Sequence, residues 1–477
     1  MQKILISAEN FSKTNNGIFE GWGTSLCWWA NRIGFSKKLT GDCAELFFSE
    51  KGLNLNIMRY NIGGGDDPSH NHIERTDSEM PGWWKYSEKN KKFEYNSDTD
   101  QNQLNILKEC YKSAGTDAYV EAFSNSPPYY MTVSGCTSGS HNAVSNNLKK
   151  DCIVPFADYL AKVCSYINNE LSIEIKSLAA MNEPFTNFWK AYSGKQEGCH
   201  ISPGKMQSEL IIAVSNALKK YNLNEIIITA SDETKAILQY IATKMMSDKA
   251  LNEVSRISTH TYGKATPHIG ILARKKNKNL WMSESDWSGI SGKDSGEMGP
   301  ALWLAEKIIE DINTLSPSAW VIWQIVAAYI SLYPDEKGRS DMRSLPDLTN
   351  GFWGTAFADI DKEEIILTKK YFAFGQFTRF IRPGMSVIHT DDNRFIAAYD
   401  NKCKRLIIVS VNAEDKIADI IFETVGFDIH NKKITAVRTS GNMSDGENWN
   451  IIYSGSLNNT EFSAKLKEHS ITTFIIE

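Results

Sequence analysis

IKSLAAMNEP, at 175–184, is the stretch whose reading decides the fold. It runs through small and apolar residues, then turns polar within two positions at Asn182 and Glu183 before Pro184 stops it. An apolar run without alternation reads as a strand covered on both faces, and such strands belong to parallel sheets flanked by helices. Seven further runs share this texture: GWGTSL from Gly21, LNIMRYNI from Leu55, TDAYVEAF from Thr116, EIIITAS from Glu225, VSRISTHTY from Val254, NLWMSES from Asn279 and AWVIWQI from Ala319. Helical patterns lie between them. Ser202 and Pro203 read as N-cap and first-turn proline of a helix ending near Lys219, Lys220 and Asn222. Earlier, Phe156, Tyr159, Leu160, Val163 and Ile167 repeat at helical spacing after Pro155. Eight strands alternating with helices pair in parallel through right-handed crossovers and close into a (β/α)8 TIM barrel.

After about Ala358 the pattern changes. EEIILTKKYF, RFIAAYD, RLIIVSVN, KKITAVRTS, WNIIYSG and SITTFIIE are short, alternating or β-branched, and polar clusters separate them. They read as an antiparallel β-sandwich. The opening KILISAEN also reads as a strand and is expected to join that sheet. The expected division is therefore a catalytic barrel at 18–357 and a β-sandwich side domain built from 1–17 and 358–477.

Composition excludes more than it identifies. A chain of 477 residues, 42% hydrophobic, is too long and too ordinary for a disulfide miniprotein, a collagen or a disordered chain. A net charge of −5 gives no electrostatic footprint for nucleic acid or an anionic membrane. The most apolar segment, AWVIWQIVAAYI, is broken by Gln324 and is shorter than the ~20 residues a bilayer requires. MQKILISAEN shows no secretory pattern, so the chain reads as cytoplasmic, or as secreted if a leader has been removed. The eight cysteines contain no C-x-x-C pair and are expected to be free thiols.

Barrel enzymes carry their chemistry at the C-terminal strand ends. Two of those ends bear a carboxylate: Glu183 on the fourth strand and Glu284 on the seventh. They stand about 100 residues apart, or three βα units of about 34 residues, the spacing of equivalent positions on the two strands. Such a pair suits retaining glycoside hydrolysis, in which one carboxylate is the nucleophile and the other alternates between acid and base. A strand-end glutamate can also cap a helix or pair with Arg59; two matched glutamates favour catalysis. Asn182 is placed to bind a sugar hydroxyl. Trp28, Trp29, Trp83, Trp84, Trp189, Trp287 and Trp323 fall at strand ends or in the loops that follow, where flat apolar rings meet sugar faces. His260 and Tyr262 share a face of the sixth strand, one strand before Glu284, so Tyr262 is expected to reach the nucleophile. Long segments follow the second and third strands, as substrate-binding loops do.

These residues carry a family resemblance. GWGTSLCWWAN, RYNIGGG, SNSPPYYM, MNEPFTNFW, QEGCHISP, HTYG, WMSE and YFAFGQFTRFIRPG run in order from Gly21 to Gly384 and resemble glycoside hydrolase family 30. The resemblance implies a (β/α)8 barrel with an attached β-sandwich and a retaining mechanism, with Glu183 as acid/base and Glu284 as nucleophile. DDPSHNHIERTDSEMPGWW and QEGCHISP are most similar to the branch that cleaves β-1,6-linked galactan, including forms that release galactobiose. Related branches act on β-1,6-glucan, xylan or glucosylceramide. The expected substrate-binding residues are Trp28, Trp29, Arg59, Asn61, Asp66, Asn182, Trp189, His260, Tyr262, Trp287 and Trp323. The expected partner is an oligo- or polysaccharide. A non-catalytic carbohydrate-binding protein on the same scaffold is the alternative from a different class. His70, His72, Asp66 and Asp67 also form an H-x-H group that suits a transition metal; the reading adopted is that they shape their loop or bind sugar hydroxyls, with no metal and no cofactor.

Overall fold

A computed structural model describes residues 2–477 except 288–289, 345–346, 349–350, 430 and 458. Eight parallel strands close into a barrel in sequence order: Gly21–Ser25, Ile57–Asn61, Tyr119–Phe123, Ile175–Ala179, Ile227–Glu233, Val254–His260, Asn279–Ser285 and Ala319–Gln324. Each falls within one of the eight runs read from the sequence, apart from two residues added at the end of the fifth. Helices cover the outside. The helix Ile153–Asn169 begins two residues before Pro155, which its first turn tolerates, and buries Phe156, Tyr159, Leu160, Val163 and Ile167. The next helix starts at Lys205, with Gly204 as N-cap. Ser202 does not cap it: its N–H donates to Asn146 and its hydroxyl faces His200. Lys219 and Lys220 fill the last turn.

Two sheets face each other beyond the barrel. A six-stranded antiparallel sheet runs Ser386–Ile388, Phe395–Asp400, Arg405–Asn412, Ser470–Ile476, Lys432–Ser440 and Glu447–Leu457 in spatial order. Opposite it, Gln2–Ser7 pairs in parallel with Ala418–Val425, which pairs with Glu461–Leu466. Ile4, Ile6, Leu406, Ile408, Phe422 and Phe474 fill the space between the sheets. The other face of the large sheet, through Ile396, Ile407 and Val409, joins the core of the barrel.

EEIILTKKYF is not one strand. Glu364–Leu367 pairs with Ala356–Asp359, and the chain turns at Thr368 into the helix Lys369–Thr378. That helix buries Phe374 and Phe377 against Trp22 of the first barrel strand, so its apolar residues serve a helix–barrel contact and not a sheet. All eight cysteines are free; six of them, including Cys27 and Cys136, are buried. Among the described residues, no helix is long and apolar enough to cross a membrane.

Candidate active site

The barrel interior is charged where the sequence suggests only apolar packing. Arg59 on the second strand pairs in register with Glu121 on the third, and Arg256 on the sixth also reaches Glu121. Arg59 Nε donates to Glu121 at 3.1 Å, and Nη2 pairs with Asp232 at the end of the fifth strand. Its Nη1 donates to Ser25 and to Glu284, each at 3.0 Å. The guanidinium lies 4.1 Å from the Phe123 ring centre. One buried cation thus holds three carboxylates in place. The planar five-donor fork of arginine makes this possible, where a lysine ammonium would not span them.

Above this layer stand the two glutamates. Glu284 is opposite His260 in the register of the sixth and seventh strands. Both its oxygens are engaged: Oε2 by Arg59, and Oε1 by the Tyr262 hydroxyl, which donates at 2.9 Å. Burial and the neighbouring Glu284 charge push the Tyr262 phenol well above its ordinary value, so it keeps the proton it donates. Burial also pushes Glu284 up, to about 7, against the pull of His260 and Arg59. His260 Nδ1 lies 3.0 Å from Glu183 and 3.4 Å from Glu284, and its Nε2 lies 3.3 Å from Asp232. One oxygen from each glutamate and a ring nitrogen of His260 lie within 4.8 Å of one another.

Burial works against the His260 cation, but Glu284, Asp232 and Glu183 outweigh it and raise its pKa from 6.5 to about 10. His260 is thereby held as a cation among the three carboxylates, with both ring nitrogens able to donate. The same shift fixes a stability prediction. A group whose folded pKa exceeds its unfolded value stabilises the protein fully below the unfolded value, 6.5, and loses that contribution as pH rises through about 10. The melting temperature is expected to fall between these limits, and to fall less steeply in His260→Gln. Equal slopes in the two proteins would contradict the assignment.

Glu183 has a positive φ of 47°, in the left-handed region that non-glycine residues rarely occupy. Its N–H donates to the Asp232 carbonyl at 2.8 Å, and Asp232 is itself left-handed, so the two strand ends hold each other. The Glu183 carbonyl accepts from the Trp189 indole at 2.9 Å. Trp189 lies flat on Gly198, where an added Cβ would fall 2.1 Å from the ring; only glycine allows that approach. This explains the glycine in QEGCHISP and ties that loop to the position of Glu183.

The glutamates lie at the foot of a cleft of about 1110 Å³, walled by Trp28, Trp189, Trp323, Tyr262, Trp353 and Asn182. Trp28 and Trp323 meet edge to face at 5.0 Å, and Arg75 covers part of the Trp28 ring. Asn182 Oδ1 is buried without a hydrogen-bond partner, as befits an acceptor awaiting a ligand. Arg59 and His260 do not line the cleft; both lie fully buried beneath the glutamates and act through them.

Four expected contacts lie elsewhere. Trp29 opens a short helix, gives its indole N–H to Ser25 and packs on Phe47 in the core. Asn61 is buried beside Gln103, which bonds its backbone. Trp287 is half exposed against Trp303, outside the cleft. Asp66 faces His70, His72 and Thr137 in a loop cluster. Trp83 and Trp84 also belong to the core, against Tyr95 and Tyr159. The path of each loop after its strand decides these directions, and sequence position alone does not give it.

The sequence reading missed Glu121, Asp232, Arg256 and Trp353. Glu121 and Arg256 had a visible signal: a charge inside an otherwise apolar strand must find a partner, and the barrel interior is where such charges can meet. Trp353 had none, because its loop lies beyond the last barrel strand.

A closed (β/α)8 barrel with paired glutamates at strand ends, set in an aromatic cleft, defines an O-glycosyl hydrolase. The sequence model of O-glycosyl hydrolase family 30 matches residues 2–333, and the chain belongs to that family. It is 29% identical to an endo-beta-1,6-galactanase of Hypocrea rufa over 97% of this chain and 92% of that protein. It is 27% identical to an exo-beta-1,6-galactobiohydrolase of Bifidobacterium longum subsp. longum over 72% of this chain, although only 28% of that longer protein is covered. Among solved structures, a family 30 subfamily 8 xylanase of Clostridium acetobutylicum superposes with a TM-score of 0.71 at 18% identity, covering 100% of this chain and 99% of the other, and shares the fold.

Proposed function

We propose that the enzyme hydrolyses β-1,6-linked galactosyl bonds with retention, Glu284 acting as nucleophile and Glu183 as acid/base. The proximity of the two carboxylates carries this reading: an oxygen of Glu183 lies within 4.8 Å of one of Glu284, which supports the close pairing of retaining enzymes, about 5–5.5 Å between carboxyls, over the ~6.5–9.5 Å of inverting ones. In the first step Glu284 attacks the anomeric carbon while the bond to the leaving oxygen breaks and Glu183 gives that oxygen its proton. In the second, water attacks the glycosyl ester and returns a proton to Glu183, restoring both groups.

The formal charges suit this cycle. Arg59, Arg256 and protonated His260 face the carboxylates of Glu121, Asp232 and Glu284, three positive charges against three negative ones. As Glu284 is consumed in the ester, the cluster loses one of its negative charges.

The choice of sugar rests on similarity to the galactanase across nearly the whole length of both chains. The test is product analysis on β-1,6-galactan, β-1,6-glucan and xylan under the same conditions. Release of galacto-oligosaccharides or galactobiose from the first, with rates on the others lower by at least about 100-fold, is expected for a site whose buried polar groups match one sugar. Equal or faster cleavage of glucan or xylan would overturn the substrate assignment and leave the mechanism standing.

A further inference from the structure

A second cluster of chemically able side chains lies away from the glutamates. Asp66, His70 and His72 sit on the segment after the second barrel strand, and Cys136 comes from the segment after the third. One donor atom from each lies within 4.8 Å of the other three. Asp66 Oδ2 is 3.2 Å from His70 Nδ1 and 3.5 Å from His72 Nε2, and His72 Nε2 is 3.5 Å from Cys136 Sγ. Asp67, the fourth member expected from the sequence, turns away and accepts from Ser69 N–H and hydroxyl. A cysteine distant in sequence takes its place.

We propose that Asp66, His70, His72 and Cys136 form a zinc site that fastens the cleft-lining segment after the second strand to the segment after the third. Two imidazoles, a carboxylate and a thiol are the borderline-soft donor set that suits zinc and not calcium or magnesium. Tetrahedral zinc with these ligands has donor–donor edges of about 3.3–3.7 Å, which the three measured distances approach; the longest edges close by about 1 Å. A single His72 ring nitrogen faces both Asp66 and Cys136, as one donor atom of a converging ligand set does. The ligands are also held from behind, as metal ligands are. Asp66 Oδ1 accepts from Thr137 N–H at 3.1 Å. Cys136 Sγ accepts from Tyr192 N–H at 3.4 Å and has Ser138 Oγ at 3.1 Å.

The position gives the site a purpose. Tyr192, whose ring packs on both histidines, belongs to the loop after the fourth strand, the loop that carries Trp189. Main-chain bonds already join that loop to its neighbours, from Ser140 N–H to Trp189 O and from Glu74 N–H to Gly194 O. Glu74, Arg75, Thr76 and Asp77, just past His72, line the cleft. A metal here would tie the segment after the third strand to the segment after the second, which lines the cleft, beneath the Tyr192 ring of the loop that carries Trp189, without touching the reacting bond.

The test begins with wild-type protein stripped by a chelator and titrated with Zn2+. Uptake of about one equivalent and a melting temperature higher by about 3 °C at a hundredfold excess over Kd are expected, with no rise for Mg2+ or Ca2+. Co2+ in place of zinc should give the visible bands of a tetrahedral ion and a near-ultraviolet thiolate charge-transfer band. Cys136→Ser should remove the charge-transfer band, and His72→Ala should abolish the melting shift. Should either variant fail to fold, the Co2+ spectrum of the wild type decides alone. No metal uptake by the stripped wild type, a Co2+ spectrum without thiolate charge transfer, or an equal shift with Ca2+ would each overturn the proposal.

Discussion

Glu284→Ala is expected to lower kcat by roughly 10⁴–10⁶-fold while leaving the fold intact, because it deletes the group proposed to form the covalent intermediate. The truncation also opens a space on the face of the sugar opposite the leaving group. Azide should enter that space and restore turnover of an activated aryl galactoside, giving the α-galactosyl azide. Glu183→Ala should behave differently. With an activated leaving group that needs no proton, its first step survives, and azide attacks the glycosyl ester to give the β-galactosyl azide. The two anomers therefore assign the two glutamates independently. Unchanged wild-type turnover in Glu284→Ala would remove the nucleophile from the account, and β-azide from that variant would exchange the two roles.

The second large effect is on stability. Arg59→Leu would leave Glu121, Asp232 and Glu284 with only Arg256 and His260 as buried counter-charges. Breaking a buried ion pair by removing one partner costs about 3–5 kcal/mol, since the remaining charges cannot regain water. Arg59 serves three such partners at once and also stacks on Phe123, so the loss is expected at the upper end of that range. Thermal denaturation should show a melting temperature several degrees lower, or the variant should fail to accumulate as folded protein. A melting curve superimposable on the wild type would show that the barrel charges do not depend on this arginine. Arg59→Lys should recover only part of the loss, because one ammonium cannot reach all three carboxylates.

The barrel strands could be read because both their faces are covered, which writes a continuous apolar run into the sequence at each of eight places. Glu183 and Glu284 were legible for the converse reason: each interrupts such a run at its C-terminal end. The charged layer beneath them was harder to see. Arg59 reads as a rival partner for a strand-end glutamate, and in the structure it is that partner, yet its ion pair with Glu284 is part of the arrangement that holds the proposed nucleophile. Catalytic geometry and structural pairing share one side chain here. Asp232 escaped because the fifth apolar run stops at Ser231 while the strand continues to Glu233. The tryptophans divide on a property that no spacing encodes. Trp28 and Trp29 are adjacent, but one faces the cleft and the other turns with a short helix into the core. Cys136 could not be associated with His70 and His72 from the sequence either, since more than sixty residues of loop and barrel separate them and only tertiary folding brings them together.

The proposed mechanism needs two carboxylates close enough for direct attack at the anomeric carbon. Proton NMR of the reducing sugar first released from a β-1,6-galacto-oligosaccharide, recorded before mutarotation, tests this most directly. Double displacement between Glu284 and Glu183 predicts that the β-anomer appears first and then decays toward equilibrium; the α-anomer appearing first would contradict it.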